Sequence, residues 1–312
     1  MIKRTVEISR EPAHLTVRLD QLVLKRDGQT VGSIPCEDIG VVLVDNPGTT
    51  YTHAALAQLA AADAAVVICG RDHLPAAILL PLADHSEVVW RLRDQLAAPK
   101  PLCKQLWRQI VSAKIRAQAA NLSPGPPRTR LLALARTVRS GDPENCEAQA
   151  ARVYWSAYFE GIAFRRDRYG DGPNPLLNYG YAVLRAAIAR AIVGAGLLPS
   201  LGIHHSNRSN NFCLADDLIE PLRPLVDRRV KELLEEGAVE LDQPTKAGLL
   251  EILTWEVRTG DQTGPLMVSL HRMVASLVRC FRGEAKSIEF PVPVQTPENG
   301  ESESMEDSFT EA

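Results

Sequence analysis

The sequence predicts an α+β fold: a small, mainly antiparallel β domain in residues 1–82, a hinge at 83–86, a larger all-α domain in 87–283 and an acidic tail over 284–312. Three observations lead there. Apolar residues alternate with period two only near the N-terminus, the pattern of half-buried strands. From Ser86 onward they recur every three or four residues, as on one face of a helix. Beyond residue 283 the chain becomes polar and acidic, the composition of a disordered segment.

In chain order, Leu15-Val17-Leu19 and Leu22-Leu24 alternate, and Asp27-Gly28 supplies a hairpin turn before Val31-Gly32-Ser33-Ile34. Gly40-Val41-Val42-Leu43-Val44 and Val66-Val67-Ile68-Cys69 are unbroken β-branched runs and read as fully buried strands. The alanine- and leucine-rich segment from His53 to Ala64 between them reads as a helix. His53, His73 and His85 have no acidic partner at ligand spacing and read as structural or exposed. Strand-like alternation stops after Pro81, which places the domain boundary there.

In the second domain Val88-Val89-Leu92-Leu96 marks one helix and Leu106-Ile110-Ile115 the next. The latter carries Lys104, Arg108, Lys114 and Arg116, either a phosphate-facing stripe or a solvated face. SPGPPRTR at 123–130 breaks it. Asp142-Pro143 reads as a helix start, because aspartate caps free amides and proline fits the first helical position. Glu147 then falls on a small, apolar face with Ala150, Ala151 and Tyr154, where a carboxylate needs a partner. That partner is either a metal ion or an arginine such as Arg152. The loop FRRDRYGDGPNP offers Arg165, Arg166 and Arg168 as phosphate forks and Tyr169 as a stacking surface, so DNA contact and simple solvation both stand open. NPLLNYGYAVLRAAIARAIVGAG reads as a long core helix whose Arg185 and Arg190 reach either an acidic centre or the surface. An amphipathic helix through Asp227 to Gly237 and another from Pro265 to Arg282 complete the domain.

At 312 residues, 45% apolar and 23% charged, the chain has the size and composition of a soluble, two-domain protein. There is no apolar run of about 18 residues and no signal-peptide core near the N-terminus, so a cytoplasmic protein without a membrane partner is expected. Six cysteines without a CxxC pair suggest reduced, buried thiols. The net charge of −3 is misleading: residues 283–312 hold eight acids and one base, which leaves 30 acids against 34 bases elsewhere. The body is mildly basic and compatible with phosphate binding.

The chemistry concentrates in GIHHSNRSNNFCLADDLIEPLRPLVD, residues 202–227. Asp217 and Glu220 lie three apart on a predicted helix, which puts them on one face about 5–6 Å apart at Cβ. Carboxylates that close repel unless a cation lies between them. The turn-rich SNRSNN could fold His204 or His205 back over that face. A hard-metal site with one nitrogen ligand is one reading; acids complementing a helix N-terminus beside solvated histidines is the other.

GDPENCEAQAARVYW, NPLLNYGYAVLR and GIHHSNRSNNFCLADDLIEPLRP, in this order and spacing, resemble the CRISPR-associated adaptation endonuclease, the integrase subunit that inserts new spacers into CRISPR arrays. The resemblance covers most of the chain and is closest to the type II branch. It implies a metal held by Glu147, His205 and Glu220, with Asp217 either an additional ligand or a group standing behind the ligands, and His204 a neighbour. Oxygen-rich ligation with one imidazole suits Mg²⁺ or Mn²⁺. Arg223 joins Arg165, Arg166, Arg168 and Tyr169 as a DNA-contact candidate. The resemblance also implies double-stranded DNA substrates (prespacer and repeat), a homodimer formed through the β domain, a bridging dimer of the small companion adaptation protein, and contact with the type II effector nuclease.

Two rivals are weighed against it. A helical metal-dependent phosphohydrolase acting on nucleotides normally carries a His-Asp dipeptide, and this chain has none. A non-catalytic DNA-binding scaffold would have no use for the intact Glu147, His205 and Glu220 set.

Overall fold

The alternating N-terminal residues do form strands, but in two sheets of different kinds. A computed structural model describes residues 3–71, 73, 75–82, 86–159, 161 and 164–294. It begins with β1 (Arg4–Ile8), β2 (His14–Arg18), β3 (Gln21–Arg26), β4 (Gln29–Pro35), β5 (Ile39–Val44), β6 (Thr50–Tyr51), α1 (His53–Ala61), β7 (Ala65–Cys69) and β8 (Pro75–Leu79). One sheet has the order β4-β3-β2-β6, antiparallel except where β6 runs parallel to β2. The other has the order β1-β5-β7-β8, and its first three strands are parallel. The expected mainly antiparallel domain is therefore a mixed-sheet region. Two crossovers make it so: β2 to β4 carry the chain from β1 to a parallel β5, and α1 carries it on to a parallel β7.

The Asp27-Gly28 turn closes its hairpin with both residues at positive φ (49° and 78°), as a type I′ turn requires. Leu19 and Asp20 (φ 51° and 58°) make the preceding turn, so Leu19 leaves the strand pattern and stands exposed. Every residue of β5 is buried. Val42 and Val44 face the N-terminal core with Leu15, Leu22, Leu59 and Val66, whereas Val41 and Leu43 face the helical core. One strand thus serves both cores.

The helical region contains α2 (Val88–Ala97), α3 (Lys100–Ala120), α4 (Pro126–Thr137), α5 (Cys146–Tyr158), α6 (Asn174–Gly194), α7 (Cys213–Ile219), α8 (Arg223–Glu235), α9 (Gln243–Leu250) and α10 (Leu266–Phe281). Helix α6 is the axis, buried along most of its length among α7, α8, α9, α10 and the sheet. Its small residues permit that crowding: a Cβ on Gly180 would come 2.5 Å from Val226 Cγ1. The region is not all-helical as expected. β9 (Glu256–Thr259), β10 (Gln262–Pro265) and β11 (Val292–Pro293) form a small antiparallel sheet in the order β10-β9-β11. Because β11 lies beyond residue 283 and Ile288 is buried, the first part of the expected tail is packed structure. Residues 295–312, His85 and most of the expected hinge lie outside the described residues.

Ion pairs fasten the N-terminal region to the helices. Lys246 of α9 pairs with Asp45 just after β5, both side chains almost fully buried. Arg190 of α6 pairs with Asp63 at 2.5 Å and donates to His271 Nε2 at 2.9 Å, so of its two sequence readings it serves neither the acidic centre nor the surface. Lys246→Ala leaves Asp45, among the described residues, with only the more exposed His73 ring. Equilibrium urea unfolding should then lose about 3 kcal/mol, whereas Asp45→Asn combined with Lys246→Met should lose about 1 kcal/mol because neither charge is left alone.

Candidate active site

Three elements distant in sequence deliver their charges to one place. Glu147 is the second residue of α5, and that helix begins at Cys146, three residues later than Asp142-Pro143 suggested. The shift follows from Asn145, which sits in the left-handed region (φ 53°) and caps Ala148 N. Asp142 still serves as a cap, accepting from Cys146 N at 2.9 Å and Glu147 N at 3.0 Å. This pair of caps fixes the position of Glu147. Glu220 opens the short 3-10 turn Glu220–Leu222 between α7 and α8 and is buried.

Between the two glutamates lies Lys114 of α3, its Nζ 2.6 Å from Glu147 Oε1 and 2.5 Å from Glu220 Oε2. Lys114 is buried, not part of a phosphate-facing or solvated stripe. Arg223 Nε donates to the other oxygen of Glu220 at 2.9 Å. Burial alone would raise the Glu220 carboxyl, but Arg223 and Lys114 overcome it and hold it at about 2. For Lys114, burial works against the ammonium and the two glutamates more than restore it, raising its pKa. Glu220 is therefore charged at neutral pH, and the two carboxylates converge on a single cation position.

His205 is held from behind. Its Nδ1 lies 2.6 Å from Asp217 Oδ1, and the same carboxylate accepts from Ile203 N (2.5 Å), His204 N (3.0 Å) and His205 N (3.1 Å). Asp217 is fully buried with both oxygens filled by the loop, so of its two expected roles it stands here behind His205 as the loop's anchor. The expected pairing of Asp217 with Glu220 across one cation is absent for that reason. Gly202 is part of the same device, since a Cβ there would collide with the His205 carbonyl and with Asp217. His204 stacks on Trp107 with ring centroids 4.1 Å apart, and Trp107 meets His205 edge-on. The bond to Asp217 fixes the tautomer with the proton on Nδ1 and leaves Nε2 as the available nitrogen. It also raises the His205 pKa, an effect to which Glu220 and Glu147 add.

The DNA-contact candidates separate into two groups. Arg165, Arg168 and Tyr169 are exposed, with Arg168 over the Tyr169 ring. Arg166 is turned inward, donating to Asn174 and Asn178, and Arg223 is spent on Glu220. Arg185 pairs with Asp216 on the flank of the site. Sequence reasoning missed Lys114, Trp107 and a buried network in which Tyr154 and Tyr181 donate to Asp227. Burial pushes the Asp227 carboxyl up to about 7, and the Arg223 guanidinium lies 4.6 Å from the Tyr181 ring centroid.

With this geometry in view, a family profile described as "CRISPR associated protein Cas1" matches residues 6–253. The chain belongs to the Cas1 family. It is 39% identical over 267 residues to the CRISPR-associated endonuclease Cas1 of Neisseria meningitidis, covering 84% of this chain and 87% of the relative. In three dimensions it is similar to a casposase bound to integration product (TM-score 0.77, 18% identity, 92% of each chain). A Cas6-RT-Cas1–Cas2 complex matches with TM-score 0.73 at 19% identity, covering 91% of this chain and 35% of that one. The family expected from the three sequence motifs is the one found, and with it the CRISPR-adaptation endonuclease and integrase function.

The linkage of His205 to Asp217 has a measurable sign. A histidine whose pKa is raised on folding stabilises the fold below its unfolded value and loses that contribution as pH rises through the folded one. NMR titration should place the His205 ring above 6.5, and Asp217→Asn should move it downward. Asp227 acts in the same direction over its own range: as a carboxyl raised on folding, it costs stability as pH climbs from 3.8 towards 7. Asp227→Asn should therefore gain on the wild type, in melting temperature, as pH goes from 5 to 8.

Proposed function

We propose that this Cas1 chain is a metal-dependent DNA endonuclease and integrase that inserts spacers by attack of a DNA 3′-hydroxyl on a phosphodiester of the CRISPR repeat, with Glu147, His205 and Glu220 at the reacting centre. The observation that carries the proposal is the convergence of Glu147 and Glu220 on one cation position beside an imidazole anchored through Nδ1. Among the described residues, no three His, Cys, Asp or Glu side chains form a ready metal-binding group. The donor chemistry nevertheless fits Mg²⁺ or Mn²⁺: two carboxylates that already hold an ammonium between them, and an imidazole nitrogen whose partner nitrogen is held by a carboxylate. The ion would be held by Glu147, Glu220 and His205 Nε2, and when bound it would polarise the phosphodiester and stabilise the leaving 3′-oxygen.

The protein's own residues set the conditions for that step. Arg223 and Lys114 keep Glu220 ionised, and the Asp142–Asn145 caps fix Glu147. Asp217 is a positioning residue, acting through His205. In strand transfer the attacking 3′-oxygen forms a new bond to phosphorus as the repeat's own phosphorus–oxygen bond breaks, and the released 3′-oxygen takes up a proton. One phosphodiester replaces another, so no covalent enzyme intermediate and no nucleotide fuel are needed. Water in place of the 3′-hydroxyl gives cleavage. Arg165, Arg168 and Tyr169, exposed together on the loop before α6, are suited to hold the DNA backbone and a base.

The proposed setting is a cytoplasmic homodimer acting on double-stranded DNA, with a dimer of the companion protein bridging two such dimers and the type II effector nuclease as a further contact. The assembly of a Cas1 relative with Cas2 and the DNA-bound casposase support the companion and the substrate class.

Glu147→Ala, His205→Ala and Glu220→Ala should each abolish strand transfer of a prespacer oligonucleotide into a repeat-containing plasmid, and Asp217→Asn should lower it about 10- to 100-fold. Full activity in any of the three alanine variants, purified free of wild-type protein, would defeat the assignment. Duplex affinity should fall with salt at about −0.9 in log–log slope per phosphate contacted, and Arg165→Ala or Arg168→Ala should each reduce that slope.

A further inference from the structure

On the side of α3 turned away from Lys114, a groove of about 570 Å³ runs between α3, the end of α4 and the segment that follows α10. Arg108, Arg116, Arg136 and Lys286 line it, Ile288 and Phe290 form part of its floor and rim, and none of its lining residues is acidic. All four cations are exposed and form no ion pair among the described residues. Gln109 fastens the wall, donating to Lys286 O at 2.9 Å and accepting from Ile288 N at 3.0 Å. The groove is thus a built, uncompensated anion-binding surface, separate from the catalytic centre.

We propose that this groove is the docking site of the chain's own acidic segment, residues 295–312, which masks the basic surface in cis. Three features select this occupant. The segment carries six acids and no lysine or arginine, so its charge complements the four cations. It continues directly from the strand that follows Phe290, itself a wall of the groove, so it is delivered there at an effective concentration on the order of millimolar. The spacing also matches. Arg108 and Arg116 are two helical turns apart, about 12 Å, and three to four residues of extended chain span that distance, as Glu298 and Glu301, three residues apart, would.

The test uses the full chain and a variant with the tail acids neutralised (Glu298→Gln, Glu301→Gln, Glu303→Gln, Glu306→Gln, Asp307→Asn, Glu311→Gln). Modification of arginines by phenylglyoxal, read by peptide mass spectrometry at low salt, should be about threefold or more slower at Arg108, Arg116 and Arg136 in the wild type, with Arg130 unchanged as an internal control. The difference should vanish near 1 M salt, where the screening length is about 3 Å. In the converse experiment, Arg108→Ala with Arg116→Ala and Arg136→Ala should accelerate cleavage of the tail by a glutamate-specific protease. Equal modification rates in the two chains, or tail cleavage unaffected by the three substitutions, would overturn the proposal. Equal rates together with protection by duplex DNA in both chains would make the groove a nucleic-acid tract instead.

Discussion

The ammonium of Lys114, held between Glu147 and Glu220, is the interaction on which the site depends. Two carboxylates brought together away from water would repel and take up protons. A cation between them reverses both tendencies, and the Glu220 carboxyl held at about 2 is the result. The same contact ties α3 to the start of α5 and to the α7–α8 turn, so the charge balance and the packing of three elements are one feature. Removing a single partner would strand a buried charge, which costs far more than the pair contributes on its own.

Around that contact the protein gives each further acid a separate set of partners. Asp216 takes Arg185 and Asn210; Asp217 takes three loop amides and an imidazole; Asp227 takes two tyrosine hydroxyls. Acids that crowd together in the sequence thereby do different work in space. Only Glu220 reaches the cation position shared with Glu147. Asp217 instead stiffens the loop that presents His205, with Gly202 removing the Cβ that would obstruct the bond and Trp107 backing the rings.

What the sequence made legible follows period and local chemistry. The helical period gave α3, α6 and α10, and the Asp27-Gly28 pair gave its hairpin, because each signal is contained in a few neighbouring residues. The parallel pairing of β1, β5 and β7 was not legible, since it is decided by the crossovers between these strands, through β2 to β4 and through α1, and not by alternation within a strand. The start of α5 was misplaced because Asp142 caps amides four and five residues ahead while Asn145 adopts the left-handed turn. Lys114 escaped because a lysine among other bases on an exposed-looking face gives no local sign that two acids, 33 and 106 residues later in the sequence, will close over it. The motifs that marked the family carried Glu147, His205 and Glu220 without carrying the cation that holds the two glutamates together.

If that cation position is where a divalent ion acts, the ammonium and the metal compete for the same two carboxylates. Mn²⁺ titrated into the full chain and followed by electron paramagnetic resonance reads this competition without reference to activity. The account predicts that Glu147→Gln or Glu220→Gln weakens Mn²⁺ binding by about tenfold or more, and that Lys114→Met strengthens it. Mn²⁺ affinity unchanged in both glutamine variants would contradict the account.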